Sequence, residues 1–345
     1  MSGGATDLTG PLSTLLGEHY GADVEVTGAS VVTAGARRVN AVFEASIDGG
    51  ARELVLTLVP AGEEILNPIS AEAAVIELAE RAGVRVPHVE LASDDPAALG
   101  GPFMITSFVA GETVPRRVLR LVAERGHGAT VVEQLGESLA RLHAIPMEDA
   151  PAGVRRVELA DPAEASLIAL REKLDELPAS RPVLELGMRW LARHRPLVPD
   201  RTSIVHVDAR NGNIVVDDDG LAAILDWEIA TAGGDPMQDL AWTAVRMWRF
   251  RNDELEIGGM AGRDSLIAGY ARAGGVYDAD RFEWWKVAET LRWAVGLATQ
   301  AEAFLDGRVP NIVMAASGRR VSELEWDLLM LITPRDGSTP TRTVA

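Results

Sequence analysis

Three oxygen-bearing side chains, Asp208, Asn213 and Asp226, stand close together in the segment IVHVDARNGNIVVDDDGLAAILDWE, residues 204–228. The spacing Asp208-x-x-x-x-Asn213 puts a carboxylate and an amide on one short loop. Asp226 follows two apolar runs, NIVVD and AAILD, joined by a turn at Asp218-Asp219-Gly220, and so ends a hairpin. The two ends of an antiparallel hairpin lie about 5 Å apart, which brings Asn213 and Asp226 within reach of one hard cation. Mg²⁺ suits such a pair, because it takes few protein ligands and completes its shell with water and phosphate oxygens. Asp208 is then free to orient a hydroxyl and accept its proton as that oxygen attacks a phosphoryl group.

Neighbouring polar residues have simpler readings. Asp217, Asp218 and Asp219 fit turn chemistry better than a second metal cluster. Asp239 is expected to cap a helix, and His143, in an apolar helix, to be a satisfied core residue. His206 supports the loop by hydrogen bonding. Glu228 either reaches the metal or braces the loop.

The elements that must position these groups fall into two parts. Short runs of β-branched and apolar residues from Val24 to Val59, with Asp48-Gly49-Gly50 as a hairpin turn and TAGAR as a second turn, predict three strands. A short helix is expected over residues 11–19. SAEAAVIELAERAGV has helical spacing, with Ser70 as its cap and Gly83 as its stop. VPHVELAS and GPFMITSFVAGE read as further extended segments, the second a strand ending at Gly111. After residue 112 the chain turns mostly helical: ATVVEQLGESLARLHAI, PAEASLIALREKLDELP, PVLELGMRWLARHRP, MQDLAWTAVRMWRF and FEWWKVAETLRWAVGLATQAEAF all carry helical apolar spacing. Most of the tryptophans at 242, 248, 284, 285 and 293 are core, with one or two available to an acceptor pocket.

Composition sets outer bounds. The chain has 345 residues, enough for two lobes with separate cores, and 47% of them are apolar. It has no cysteine, which removes disulfides, thiolate metal sites and cysteine nucleophiles. The first residues lack a basic start followed by an apolar run, and no apolar stretch approaches the roughly 20 residues of a membrane helix. A cytoplasmic protein without a membrane partner is the expectation. With 51 acidic and 33 basic residues the formal charge is -18, which opposes nucleic acid and anionic membrane partners.

The motifs together resemble the aminoglycoside phosphotransferase and choline kinase family, relatives of the protein kinases. His206-Val207-Asp208 and Asn213 are similar to its H-G-D-x-x-x-x-N, and Leu225-Asp226-Trp227-Glu228 to its metal-binding turn. DPMQDLAW, with Asp235-Pro236 and Asp239-Leu240-Ala241, resembles its D-P-x-x-D-L-A, and LARLHAIP its L-A-x-L-H helix. The resemblance runs over roughly residues 25 to 300. It implies an α+β, bilobal, protein-kinase-like fold. Residues 1–20 would form an N-terminal segment, 21–110 a β-rich nucleotide-binding N-lobe, 111–335 a larger, mainly helical C-lobe with the catalytic loop and acceptor pocket, and 336–345 a tail.

It further implies an ATP-dependent, Mg²⁺-assisted transfer to a small-molecule acceptor. Asp208 takes the place of the catalytic aspartate, and Asn213 and Asp226 those of the Mg²⁺ ligands. Arg210 is the cation that stabilises the transferring phosphoryl group. Adenine would bond the backbone near Thr106, Ser107 and Val109. The segment DWEIATAGGDPMQDLAWTAVRMWRF looks most like the branch associated with acyl-CoA dehydrogenases, where the acceptor is a hydroxyacyl-CoA and Arg246, Arg249 and Arg251 could form a local basic patch. An aminoglycoside-like acceptor is the other candidate.

Two positions depart from the family pattern. Val207 replaces the glycine between histidine and aspartate, and valine disfavours a positive φ. If the loop needs one, it must rearrange. The family lysine on the third strand, which pairs with a helix glutamate, is also missing. The glutamate is Glu72, Thr57 occupies the lysine position, and the only lysines in the chain are Lys173 and Lys286. An arginine, Arg37, Arg38 or Arg52, takes over the phosphate contact, or nucleotide binds through Mg²⁺ and backbone amides alone, or the protein binds a ligand without turnover.

Overall fold

The alternating apolar pattern of residues 24–58 forms three antiparallel strands in the computed structural model, which describes residues 8–34 and 38–333. A first helix, α1 (Thr9–Tyr20), precedes β1 (Val24–Ala34), β2 (Val39–Ile47) and β3 (Gly50–Leu58). Asp48 and Gly49 both take positive φ, 49° and 81°, the condition for a two-residue hairpin turn whose twist matches its strands. The TAGAR turn lies partly outside the described residues. After α2 (Ile69–Arg81), β4 (Val89–Ser93) and β5 (Phe103–Ser107) complete a five-stranded sheet of order β1-β2-β3-β5-β4.

Strand alternation gives this sheet two apolar faces. Phe43, Leu54, Leu56, Phe103 and Ile105 pack with Leu12 and Leu16 of α1. Met104 faces the other way, into the core that holds Val75, Ile76 and Ala79 of α2 and continues through the rest of the chain. Helix α2 does not use Ser70 as its cap. Pro68 stands at the N-cap, and the Ser70 backbone N–H donates to Asp94 Oδ1 at 3.1 Å. The capping oxygen therefore comes from the loop after β4, a source that local spacing does not reveal.

The connection after β5 runs directly against the C-lobe. Glu112 and Val216 exchange backbone hydrogen bonds of 2.7 and 3.0 Å. At Gly111, with φ +146°, a Cβ would lie 2.8 Å from the Val216 carbonyl oxygen, so only glycine permits this approach.

The C-lobe is built from α3 (Pro115–Arg125), α4 (Gly128–Ala144), the two-residue β6 (Arg155–Arg156), α5 (Pro162–Asp175) and α6 (Pro182–Arg193). Next come β7 (Ser203–Val205), the hairpin β8 (Ile214–Asp217) and β9 (Gly220–Ile224), and β10 (Thr231–Gly234). Strands β6, β10 and β7 form a small sheet. The lobe closes with α7 (Pro236–Thr243), α8 (Arg263–Arg272), the 27-residue α9 (Ala279–Leu305), α10 (Ile312–Gly318) and α11 (Val321–Ile332). Asp161, Asp235 and Asp278 cap α5, α7 and α9 with their carboxylates.

One expected helix is cut short. MQDLAWTAVRMWRF is helical only to Thr243 and then turns through a 3-10 segment at Arg246–Arg249. On one continuous helix, residues 242 and 248 would point about 120° apart. The break instead packs the Trp242 and Trp248 rings edge to face with centroids 4.9 Å apart, and Trp293 of α9 joins them. Among the described residues no helix is long and apolar enough to cross a membrane.

Candidate active site

The loop between β7 and β8 is held chiefly by one buried carboxylate. Asp239, expected to cap a helix, lies inside the first turns of α7, and Asp235 is the cap. Fully buried, Asp239 accepts the backbone N–H of His206 at 2.7 Å on Oδ2 and that of Val207 at 2.6 Å on Oδ1. His143 Nε2 lies 3.0 Å from Oδ2, and its Nδ1 is 2.9 Å from the Tyr270 hydroxyl, so His143 is the satisfied core residue the sequence suggests. These donors hold the Asp239 carboxyl below the usual carboxylate range despite its burial.

His206 is also fully buried, and burial pushes its imidazole down, so that it is neutral at pH 7. A neutral ring needs one donor and one acceptor nitrogen. Nε2 faces the Leu225 carbonyl at 3.1 Å, and Nδ1 accepts the Asp208 N–H at 3.1 Å. His206 thereby ties the loop to the start of the Asp226 turn. Between the two, Val207 takes φ +68°. The loop does not rearrange; the valine itself occupies the left-handed region, at a cost of about 1–2 kcal/mol.

This geometry presents Asp208 with its carboxylate held on both oxygens. Oδ1 accepts from Arg210 Nε at 3.1 Å and from Trp242 Nε1 at 2.9 Å, and Oδ2 accepts from Asn213 Nδ2 at 2.5 Å. Asn213 also donates to the Asp208 carbonyl at 3.1 Å, which leaves its amide oxygen for another partner. The Arg210 guanidinium lies over the Trp248 ring at 4.4 Å.

Asp226 closes the hairpin as the sequence implies, since the Leu225 N–H donates to the Asn213 carbonyl at 2.8 Å. Like Val207 it takes a left-handed φ, 65°. Burial, then the charges of Glu228 and Asp208, push its carboxyl up to about 7. A buried carboxyl under surplus negative potential, across the end of the hairpin from an amide side chain, is a donor set that a hard cation can neutralise. Among the described residues no three His, Asp or Glu gather into a closed metal cage. A cation here would rest on Asp226, Asn213 and oxygens of its ligand, which fits Mg²⁺.

Of the arginines named for the lysine's role, Arg38 is the one described in contact with Glu72. Its Nη1 and Nη2 donate to both oxygens of Glu72 at 3.0 and 2.8 Å, and its Nε lies 2.9 Å from Glu228 Oε2. Thr57 points elsewhere and donates to Asn40 at 2.9 Å. Arg52 lies towards the other end of β3, over the Tyr20 ring and 3.7 Å from Glu90. Arg37 lies outside the described residues. Glu228 braces the site through Arg38, and its carbonyl accepts from the fully buried Asn67, which also bonds Ala230 and Arg155.

At the lobe connection, Thr106 is paired on both sides in the sheet, with Val55 and Val89. Ser107 N–H donates to His88 and Phe108 N–H to Glu53. Of the three positions named for the adenine edge, Val109 stands beyond this ladder. Two of the three arginines of the suggested basic patch are otherwise engaged. Arg246 pairs with Asp253 and Asp327, and Arg249 donates to the Asp253 and Ala244 carbonyls. Asp239, Asn67 and the Trp242 indole are the supports that sequence reading missed. The D-P-x-x-D spacing was the one available signal, for Asp239.

Residues 33–285 match the sequence profile of the family described as "Phosphotransferase enzyme family". No curated protein sequence matches the chain. Among solved structures, a protein of Ralstonia eutropha JMP134, described as a candidate aminoglycoside phosphotransferase, is 20% identical with a TM-score of 0.68, over 93% of this chain and 98% of that one. Macrolide 2'-phosphotransferase type I is 20% identical with a TM-score of 0.62, over 93% and 99%. A thermostable mutant of aminoglycoside phosphotransferase APH(4)-Ia, in ternary complex with AMP-PNP and hygromycin B, is 14% identical with a TM-score of 0.63, over 96% and 100%. At these identities the likeness establishes the α+β, bilobal, kinase-like fold.

Proposed function

The chain belongs to the phosphotransferase enzyme family, and from that premise we propose that it moves the terminal phosphoryl group of ATP, with Mg²⁺, onto a hydroxyl of a small molecule. The observation that carries this reading is the convergence of Asp208, Asn213 and Asp226 at the mouth of one hairpin, with the Asp208 carboxylate fixed by three donors.

Asp208 orients the acceptor O–H and takes its proton while the acceptor oxygen forms a bond to the γ-phosphorus. The bond from that phosphorus to the β,γ-bridging oxygen breaks, and ADP leaves with the electron pair. Asn213 and Asp226 would hold Mg²⁺, which when bound neutralises charge on the phosphate oxygens. Arg38, oriented by Glu72, is the cation nearest in role to the absent lysine. The binding-only alternative rested on the lack of such a cation, and nothing else in the site favours it. Val109 is the proposed backbone contact for adenine, and Arg210 the proposed partner of charge developing near Asp208.

The test is an acceptor screen read by nucleotide diphosphate release. One solved relative is bound to AMP-PNP and another to GDP and kanamycin, so ATP and GTP are compared side by side. Acceptors span neutral sugars, aminoglycosides, macrolides and hydroxyacyl-CoA esters, with Asp208→Ala as control. Acceptor-stimulated release that the control loses supports the reading. The reading fails if neither nucleotide binds at millimolar concentration.

A further inference from the structure

Val207 is a β-branched residue in a conformation that glycine adopts freely and valine does not. Two contacts hold it there. Its N–H is fixed by Asp239 Oδ1, within the network that also fixes His206. Its carbonyl accepts a hydrogen bond from Arg292 Nη2, which comes from α9 at 3.1 Å.

Arg292 is itself placed with care. Its Nε pairs with Glu289, which is fully buried and is bonded on its other oxygen by Gln238 at 2.8 Å. The Arg292 guanidinium lies over the Trp242 ring, 4.1 Å from its centroid. Trp242 is fully buried, and its indole N–H is one of the donors to Asp208. One guanidinium thus touches the residue before Asp208 through a hydrogen bond and Asp208 itself through the stacked indole.

We propose that Arg292 and Trp242 are positioning residues that hold Val207 in the left-handed region and so aim the Asp208 carboxylate. This inference rests on the reading of Asp208 as the group that orients the acceptor. The physical argument is a coupling. Where a glycine precedes the aspartate, positive φ needs no restraint. With valine there, releasing the carbonyl lets the residue relax towards negative φ, which swings the following carboxylate off the indole N–H. The importance of Arg292 should therefore depend on what occupies position 207.

The experiment removes the restraint in two backgrounds. Arg292→Met is made together with Glu289→Gln, so that no unpaired carboxylate is left buried. The pair is introduced into the natural chain and into Val207→Gly. The readout is hydrogen exchange of the Trp242 indole N–H in unliganded, ¹⁵N-tryptophan-labelled protein, its resonance assigned by its loss in Trp242→Phe. In the natural chain, exchange should accelerate by about tenfold or more, the scale set by a left-handed β-branched residue. In the Val207→Gly background the same change should stay within about twofold, since glycine carries no such cost.

Equal acceleration in both backgrounds would make Arg292 an ordinary packing residue and overturn the proposal, as would no acceleration in either. Loss of folding in the natural chain alone supports the coupling, whereas loss in both overturns it. The measurement needs no nucleotide or acceptor. It is therefore separate from the phosphotransfer reading, which the acceptor screen decides.

Discussion

Arg38 grips Glu72 with both terminal guanidinium nitrogens, at 2.8 and 3.0 Å, while its Nε reaches Glu228 at 2.9 Å. One residue thereby links the start of β2, helix α2 and the segment just after Asp226. A lysine, with one nitrogen, has no fork to divide among three carboxylate oxygens.

Arg38→Ala leaves Glu72 buried without its partner. It is expected to destabilise the protein by about 3 kcal/mol and to abolish nucleotide binding. Arg38→Lys should keep part of the stability and little of the nucleotide affinity. Thermal melting and calorimetric titration with AMP-PNP separate the two effects. Unchanged AMP-PNP affinity in Arg38→Ala would remove Arg38 from the nucleotide site.

Asp208→Asn keeps the size of the side chain and removes its basicity. Acceptor-dependent turnover should fall by roughly 10²–10⁴-fold with the nucleotide KM little changed. A comparable rise in nucleotide KM would instead assign Asp208 to binding.

Asp226 is held at about 7, against an ordinary value of 3.8. The folded state therefore keeps its proton more tightly than the unfolded chain, and the free protein should lose roughly 2–4 kcal/mol of stability as pH rises from 4 to 7. Protons compete with the cation over the same range, so Mg²⁺-dependent nucleotide affinity should weaken as pH falls below about 7. Melting curves of the natural chain and Asp226→Asn from pH 5 to 8 check this. The variant should be the more stable at pH 8 and should show no Mg²⁺-dependent nucleotide binding.

Asp239 behaves in the opposite sense. Its carboxyl sits below the usual range, so its stabilising contribution is complete above the ordinary carboxylate pKa and declines as pH falls through the lower folded value. Asp239→Ala strips the acceptor from His206, Val207 and His143 together. A loss of about 3–5 kcal/mol is expected, read as the denaturation midpoint at pH 7. A midpoint within experimental scatter of the natural chain would show that the loop is held by other contacts.

Much of the site was legible in the sequence because its residues are near neighbours in the chain. The Asp208-to-Asn213 spacing and the turn at Asp218-Asp219-Gly220 set the loop and hairpin by local backbone rules. The strands of residues 24–58 and most helices followed from apolar periodicity. The helix expected through Trp248 was misread because periodicity cannot see the gain from packing three tryptophans edge to face or tilted against one another.

Tertiary structure alone decided the partners that span long separations. That Arg38, rather than Thr57 or Arg52, meets Glu72 depends on where the start of β2 lies relative to α2. Asp239 proved an acceptor for the loop between β7 and β8 because α7 packs against β7, although its helical position suggested a cap. Val207 was recognisable as a misfit from its branched side chain, but whether the loop would rearrange or the valine would bear the strain depended on Asp239 and Arg292. Local sequence determines which backbone conformations are cheap. Only the packed fold supplies the distant hydrogen-bond partners that make an expensive one persist.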